Sequence, residues 1–113
     1  MLIGELSART GVSARLLRYY EEQGILAAER GYNGYRSYTE DAVVRVRQIR
    51  QLLAAGLTTE VIASALQCAT GERLRLDLCP QLAGILHREL AAMDNRIGEL
   101  QQRRTTLAGY LDS

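Results

Sequence analysis

The chain has no lysine; all 14 of its basic side chains are arginines. Every fixed cation is therefore a planar guanidinium, able to hold a phosphate or a guanine edge through two parallel hydrogen bonds. Cysteine is scarce, with two in 113 residues placed 11 positions apart, and there is a single histidine. That supply excludes a four-cysteine zinc finger and a dense disulfide framework. No apolar run approaches the ~18 residues of a membrane span. The opening Met1-Leu2-Ile3-Gly4-Glu5 lacks the basic segment of a secretory signal, so a cytoplasmic location and no membrane partner are expected. An excess of charge is missing too: 14 arginines against 13 acids leave +1, which at first argues against a nucleic-acid partner. No nucleophile–base motif, phosphate loop or acid pair is present, so no enzyme is expected. With 47% apolar and 24% charged residues, the composition suits one soluble domain with an extension.

What is present begins with two short helices around a turn. Ile3, Leu6 and Thr10 fall at helical spacing, Gly11 breaks the run, and Ser13 can cap a second helix that stops at Gly24. Residues 3–23 therefore read as a helix-turn-helix. On the second helix, Leu16, Leu17 and Tyr20 cover one arc of about 100°. Arg15, Arg18, Tyr19 and Glu22 cover the opposite arc. Two guanidinium forks with a phenol between them suit phosphate oxygens and guanine O6/N7. The bland alternative is a solvated face on which Arg18 and Glu22 form an i,i+4 pair.

Residues 25–38 show no helical period, and Asn-Gly between aromatics at Tyr32-Asn33-Gly34-Tyr35 is a strong hairpin signal. A two-stranded wing is expected, with Arg36 and Tyr38 on one face of its return strand and Tyr35 on the other. Five of the six tyrosines lie between positions 19 and 38. A hairpin this short cannot bury them all, so some must meet phosphate or solvent; Tyr35 is expected to brace the hairpin. Helices over 39–55, capped by Thr39, and 58–67, capped by Thr58, complete a domain of residues 1–67. Residues 68–79 read as a polar connector holding at most a turn of helix.

A last helix is expected over residues 80–111, roughly 48 Å long at 1.5 Å per residue. Its apolar positions Leu86, Leu90, Met93, Ile97, Leu100, Leu107 and Leu111 form a seam whose steps alternate 3 and 4 after Leu90, interrupted by Arg104. The preceding domain is too small to cover that length, so a second copy of the chain is the expected partner. Arg104 belongs at a frayed end or paired across such a dimer.

These residues carry a family resemblance. Ile3-Gly4-Glu5-Leu6, Thr10-Gly11-Val12-Ser13, Leu17-Arg18-Tyr19-Tyr20-Glu21, Gly24-Ile25-Leu26, Gly34-Tyr35-Arg36-Ser37-Tyr38, Ile49-Arg50 and Ala55-Gly56-Leu57 stand in the order and spacing of the MerR family of bacterial transcription regulators. The chain resembles that family along nearly its whole length. Ser7 stands where an Ala is usual, and Ala27-Ala28 where a Pro is common. The resemblance implies a mainly α fold, a winged helix-turn-helix dimerised through an antiparallel coiled coil. It implies binding to a pseudo-palindromic promoter site and activation for RNA polymerase through distortion of the DNA. By position, Arg15, Arg18 and Tyr19 become recognition-helix contacts, Tyr20 is shared between packing and the DNA backbone, and Arg36 and Tyr38 clamp phosphates from the wing.

The signal such a regulator answers to stays open. Only Asp112 and Ser113 follow Leu111, so no fused sensing module is expected, nor the Cys-bearing loop of the family's metal sensors. Cys79 occupies a position where divalent-metal sensors of the family have a thiolate. With Cys68 or His87 it can ligate a soft metal ion. The two thiols can instead form a redox-sensitive disulfide if their Cα atoms come within ~7 Å, or both can simply pack as small apolar groups. An effector-independent architectural binder or repressor, and a coiled-coil protein-interaction module, are the competing functions.

Overall fold

The protein was analysed as a computed structural model, which describes residues 1–31 and 34–112. It divides into two compact units, residues 1–77 and 78–113. The first opens with α1 (Ile3–Thr10) and α2 (Ala14–Glu22). Gly11 ends α1 at φ 73°, a left-handed conformation that a side chain would strain, and its N–H donates to the Ser7 carbonyl. Ser13 then starts α2 as expected: its Oγ accepts the Leu16 N–H at 3.1 Å.

The wing consists of β1 (Glu29–Arg30) and β2 (Arg36–Ser37), antiparallel with Glu29 opposite Ser37 and Arg30 opposite Arg36. Gly34 has φ 81°, as a turn glycine should. The expected Asn-Gly turn cannot be followed further, because Tyr32 and Asn33 lie outside the described residues. Two helices follow, α3 (Glu40–Ala54) and α4 (Thr59–Leu66). The Thr58 Oγ1 caps α4 by accepting the Val61 N–H at 3.3 Å. Thr39 sits at the start of α3 but makes no side-chain cap. The anion in that first turn, Glu40, is instead gripped by both Arg9 nitrogens at 2.5 and 2.7 Å, tying α1 to α3.

The core lies where α1 packs on α2 and α3, and α3 on α4. Leu6, Leu17, Val46, Ile49 and Ile62 are sealed from solvent there, each contributing about 1.5–3 kcal/mol by burial. Tyr20 joins them at 1% exposure.

One departure from expectation concerns residues 68–79. They form a second hairpin, β3 (Ala69–Thr70) against β4 (Arg75–Leu76), closed by the Asp77 N–H donating to the Cys68 carbonyl at 3.0 Å. Strands of two residues leave no periodic trace in a sequence. What holds them lies more than twenty positions away, on α3. The buried Gln48 donates to the Gly71 carbonyl at 3.1 Å. Gln51 donates to the Glu72 carbonyl at 2.8 Å and accepts the Leu74 N–H at 3.2 Å. Arg47 adds an ion pair with Glu72 at 2.9 Å.

The second unit is α5 (Pro80–Asp112), a 33-residue helix roughly 50 Å long. Along it Leu90, Met93, Ile97, Leu100, Leu107 and Leu111 are all exposed, while Leu86 is half-buried. Among the described residues no helix is long and apolar enough to cross a membrane.

The core holds one testable defect. The Tyr20 hydroxyl is the only buried side-chain polar atom among the described residues without a hydrogen-bond partner, and such an orphan costs about 1–3 kcal/mol. Tyr20→Phe is therefore expected to leave stability unchanged or raise it by about 1 kcal/mol in urea unfolding. A clear loss would show that the hydroxyl has a partner in solution.

Candidate nucleic-acid interface

The surface side of α2 follows from its buried side. Because Leu17 and Tyr20 face the core, the 100° step per residue turns Arg15, Arg18 and Tyr19 outward, and all three are exposed. Arg18 makes no ion pair with Glu22 among the described residues, so the guanidinium is not consumed by its own helix. Leu16, expected to face inward, is only half-buried. It lines a shallow surface groove with Ser13, Arg15 and Tyr19. Two forks, a phenol and an apolar shoulder thus share one face.

The wing differs from expectation in a specific way. Tyr35, expected to brace the hairpin, is 70% exposed, and Tyr38, expected to reach phosphate, is 3% exposed. Tyr38 is drawn inward by its backbone and by its hydroxyl. Its N–H donates to the Met1 carbonyl and its carbonyl accepts from the Met1 nitrogen, both at 2.7 Å. Its hydroxyl donates to Glu21 Oε1. Tyr38, expected as a phosphate clamp, is thus held in this structure as a pin between wing and helix, and Tyr20, expected to share packing with a backbone contact, is buried in the core. Neither presents a phenol to a ligand in this conformation.

Glu21 is the residue that sequence reasoning missed. Its second oxygen lies 3.5 Å from Arg36 Nη1, with the Glu21 side chain 14% exposed and Arg36 41%. One carboxylate thus joins α2 to the wing, through a hydrogen bond to the pin and an ion pair to the exposed arginine. A signal existed: at 100° per residue Glu21 falls between Leu17 and Arg18 on the helix. An acid at the margin of a buried arc has a partner to find. Burial, and then the hydrogen bond to Glu21, push the Tyr38 phenol up to about 12, against the smaller opposing pull of Arg36 and Arg18.

The cysteines fall in different units. Cys68, half-buried, closes the second hairpin through its carbonyl. Cys79 is exposed, and its Sγ accepts the Leu82 N–H at 3.4 Å, as a cap for α5. It is therefore not packed as a small apolar group. His87 is exposed on α5. Among the described residues no three His, Cys, Asp or Glu side chains gather as a metal centre requires.

Comparison with known proteins gives these residues a context. The family model described as MerR HTH family regulatory protein matches residues 1–68. The HTH-type transcriptional regulator HmrR of Rhizobium leguminosarum bv. viciae is 33% identical over 95% of this chain and 81% of its own length. The HTH-type transcriptional regulator ZntR of Escherichia coli K12 is also 33% identical, over 98% of this chain and 78% of its own. Among solved structures, the transcription regulator PbrR691 from Ralstonia metallidurans CH34 in complex with lead(II) superposes with a TM-score of 0.79. That match covers 95% of this chain and 82% of that one at 24% identity, which is a likeness of fold.

The pinned phenol can be read directly. An absorbance titration of the tyrosines is expected to contain one late component near pH 12 that Tyr38→Phe removes. The sign follows from the raised value: the buried phenol's contribution to stability is complete below pH ~10, where an unfolded tyrosine titrates. It is lost as the pH rises through about 12. A wild-type titration with no late component would show that Tyr38 is not buried in solution.

Proposed function

The chain belongs to the MerR family of HTH regulatory proteins; it is a DNA-binding transcriptional regulator and not an enzyme, and from that membership we propose how its own residues read a promoter. The observation that carries the proposal is the two-faced α2, with Leu17 and Tyr20 in the core and Arg15, Arg18 and Tyr19 outside on the opposite side. A recognition helix enters the major groove through such a face. Arg15, near its N-terminal end, is the base reader, since a guanidinium matches guanine O6 and N7. Arg18 and Tyr19 bond the flanking backbone. Arg36, held out from β2, takes a phosphate beside the groove and fixes the register of the domain on the duplex.

The functional unit is a homodimer joined along α5. Its exposed seam from Leu90 to Leu111 recurs at the 3-4 spacing of a coiled coil, antiparallel as the family resemblance implies, and two domains related by a two-fold axis match a pseudo-palindromic site. Each protomer then contributes one α2 and one wing, so the few arginines are doubled. Control acts through the shape of the DNA. Two domains joined through one coiled coil impose a spacing on the duplex, and bending a site of roughly 20–30 base pairs by about 40–90° costs on the order of 1–6 kcal/mol. The deformation held against that cost is what changes promoter geometry for RNA polymerase. Cys79 has an exposed thiol and Cys68 a half-buried one, and among the described residues no third His, Cys, Asp or Glu gathers with either of them.

Binding assays with substituted chains test the assignment. Arg36→Ala is expected to weaken the preferred site without altering base preference and to reduce its salt slope by about 1, whereas Arg15→Ala costs about 1–3 kcal/mol on the preferred site and relaxes base preference there. An Arg36→Ala chain with wild-type affinity for the preferred site would remove the wing from the interface. In sedimentation experiments the wild-type chain is expected to be a dimer, and Ile97→Asp with Leu100→Asp a folded monomer. A monomeric wild type would refute the seam.

A further inference from the structure

We infer that Glu21 sets how well this regulator distinguishes its own site from other DNA, by competing with the duplex for Arg36; the inference rests on the reading of Arg36 as a phosphate contact. The carboxylate has two oxygens and two different obligations. One oxygen is held by the Tyr38 hydroxyl, whose ring is fixed in the core, so the acid cannot swing away. The other faces Arg36 Nη1 at 3.5 Å, longer than the ~2.7–2.9 Å of a charge-assisted hydrogen bond. The guanidinium is therefore held by charge more than by a hydrogen bond, and it is exposed enough to leave.

DNA that recruits Arg36 must break this pair. It also leaves a largely buried carboxylate without its cation, close to a polyanion. Only a duplex whose backbone path meets Arg36 squarely, while α2 is seated in the groove, offsets both costs. A random duplex meets the guanidinium less squarely and is rejected more. The pair thus acts against non-specific binding, in a chain whose overall charge of +1 already limits it.

Glu21→Gln separates charge from scaffold. The amide oxygen still accepts the Tyr38 hydroxyl, while the negative charge is gone. The probes are a random-sequence duplex and a duplex selected by the wild-type chain from a random pool, each titrated across a range of salt. For the random duplex, affinity at low salt is expected to rise about tenfold and the dependence of log K on log salt to steepen by about 1, the mark of one more phosphate contact. Affinity for the selected duplex rises less, so discrimination falls. In an Arg36→Ala background, Glu21→Gln should lose most of this effect.

Random-duplex affinity that stays level or falls overturns the inference, because a carboxylate acting only as a strut can do no more than weaken the wing when altered. A rise of equal size without Arg36 overturns it too, by showing direct repulsion of DNA. A wild-type chain with no salt-dependent binding to any duplex is a different result, and it removes the functional reading itself.

Discussion

Burying the Tyr38 ring deprives its hydroxyl of water, and an unpaired phenol in the interior costs about 1–3 kcal/mol. Glu21 supplies the missing acceptor. Because Glu21 sits on α2 and Tyr38 at the end of the wing strand, satisfying that one hydroxyl fixes helix and wing against each other. The same residue's backbone is bonded to Met1, which leads directly into α1. Three pieces of chain, remote in sequence, therefore meet at one side chain. Arg36 inherits its position from this arrangement, since it lies two residues before the pin and faces the same carboxylate.

Behind that assembly, α3 acts as a spine with a different chemistry on each side. Its apolar positions Val43, Val46, Ile49 and Leu52 enter the core. Its polar positions hold the second hairpin: Gln48 and Gln51 bond backbone groups of its turn, and Arg47 pairs with the Glu72 carboxylate. Arg45 donates to the Leu66 carbonyl at 3.1 Å and so finishes the end of α4. The surface ion pairs themselves contribute little, since pairs this exposed are typically worth under about 1 kcal/mol. Their effect is to choose a geometry.

Charge has the same character throughout. A net +1 would suggest indifference to DNA if charges were spread evenly. They are not: Glu21, Glu40 and Glu72 each face an arginine from another element. Arg15 and Arg18 form no such pair among the described residues. Arg9 uses both prongs of its planar fork on Glu40, so what an arginine here can bind depends on its placement more than on the overall charge.

Much of this could be read from the sequence in order. Gly11, Ser13 and Gly24 punctuate the helix-turn-helix, the 100° arithmetic separates Leu17 and Tyr20 from Arg15, Arg18 and Tyr19, and the alternating 3-4 steps after Leu90 foretell one long helix. Local steric and hydrogen-bonding rules act over three or four residues, so a linear sequence displays them. It could not show which tyrosine of the wing is buried, because Tyr35 and Tyr38 are chemically alike and the choice lies with Met1 and Glu21. Nor could it show the second hairpin, whose support comes from glutamines on α3. Periodicity therefore settled the helices and the faces they present. The pin at Tyr38, the role of Glu21 and the hairpin were decided by tertiary structure, since each depends on satisfying a buried or unpaired polar group with a partner that only folding brings within reach.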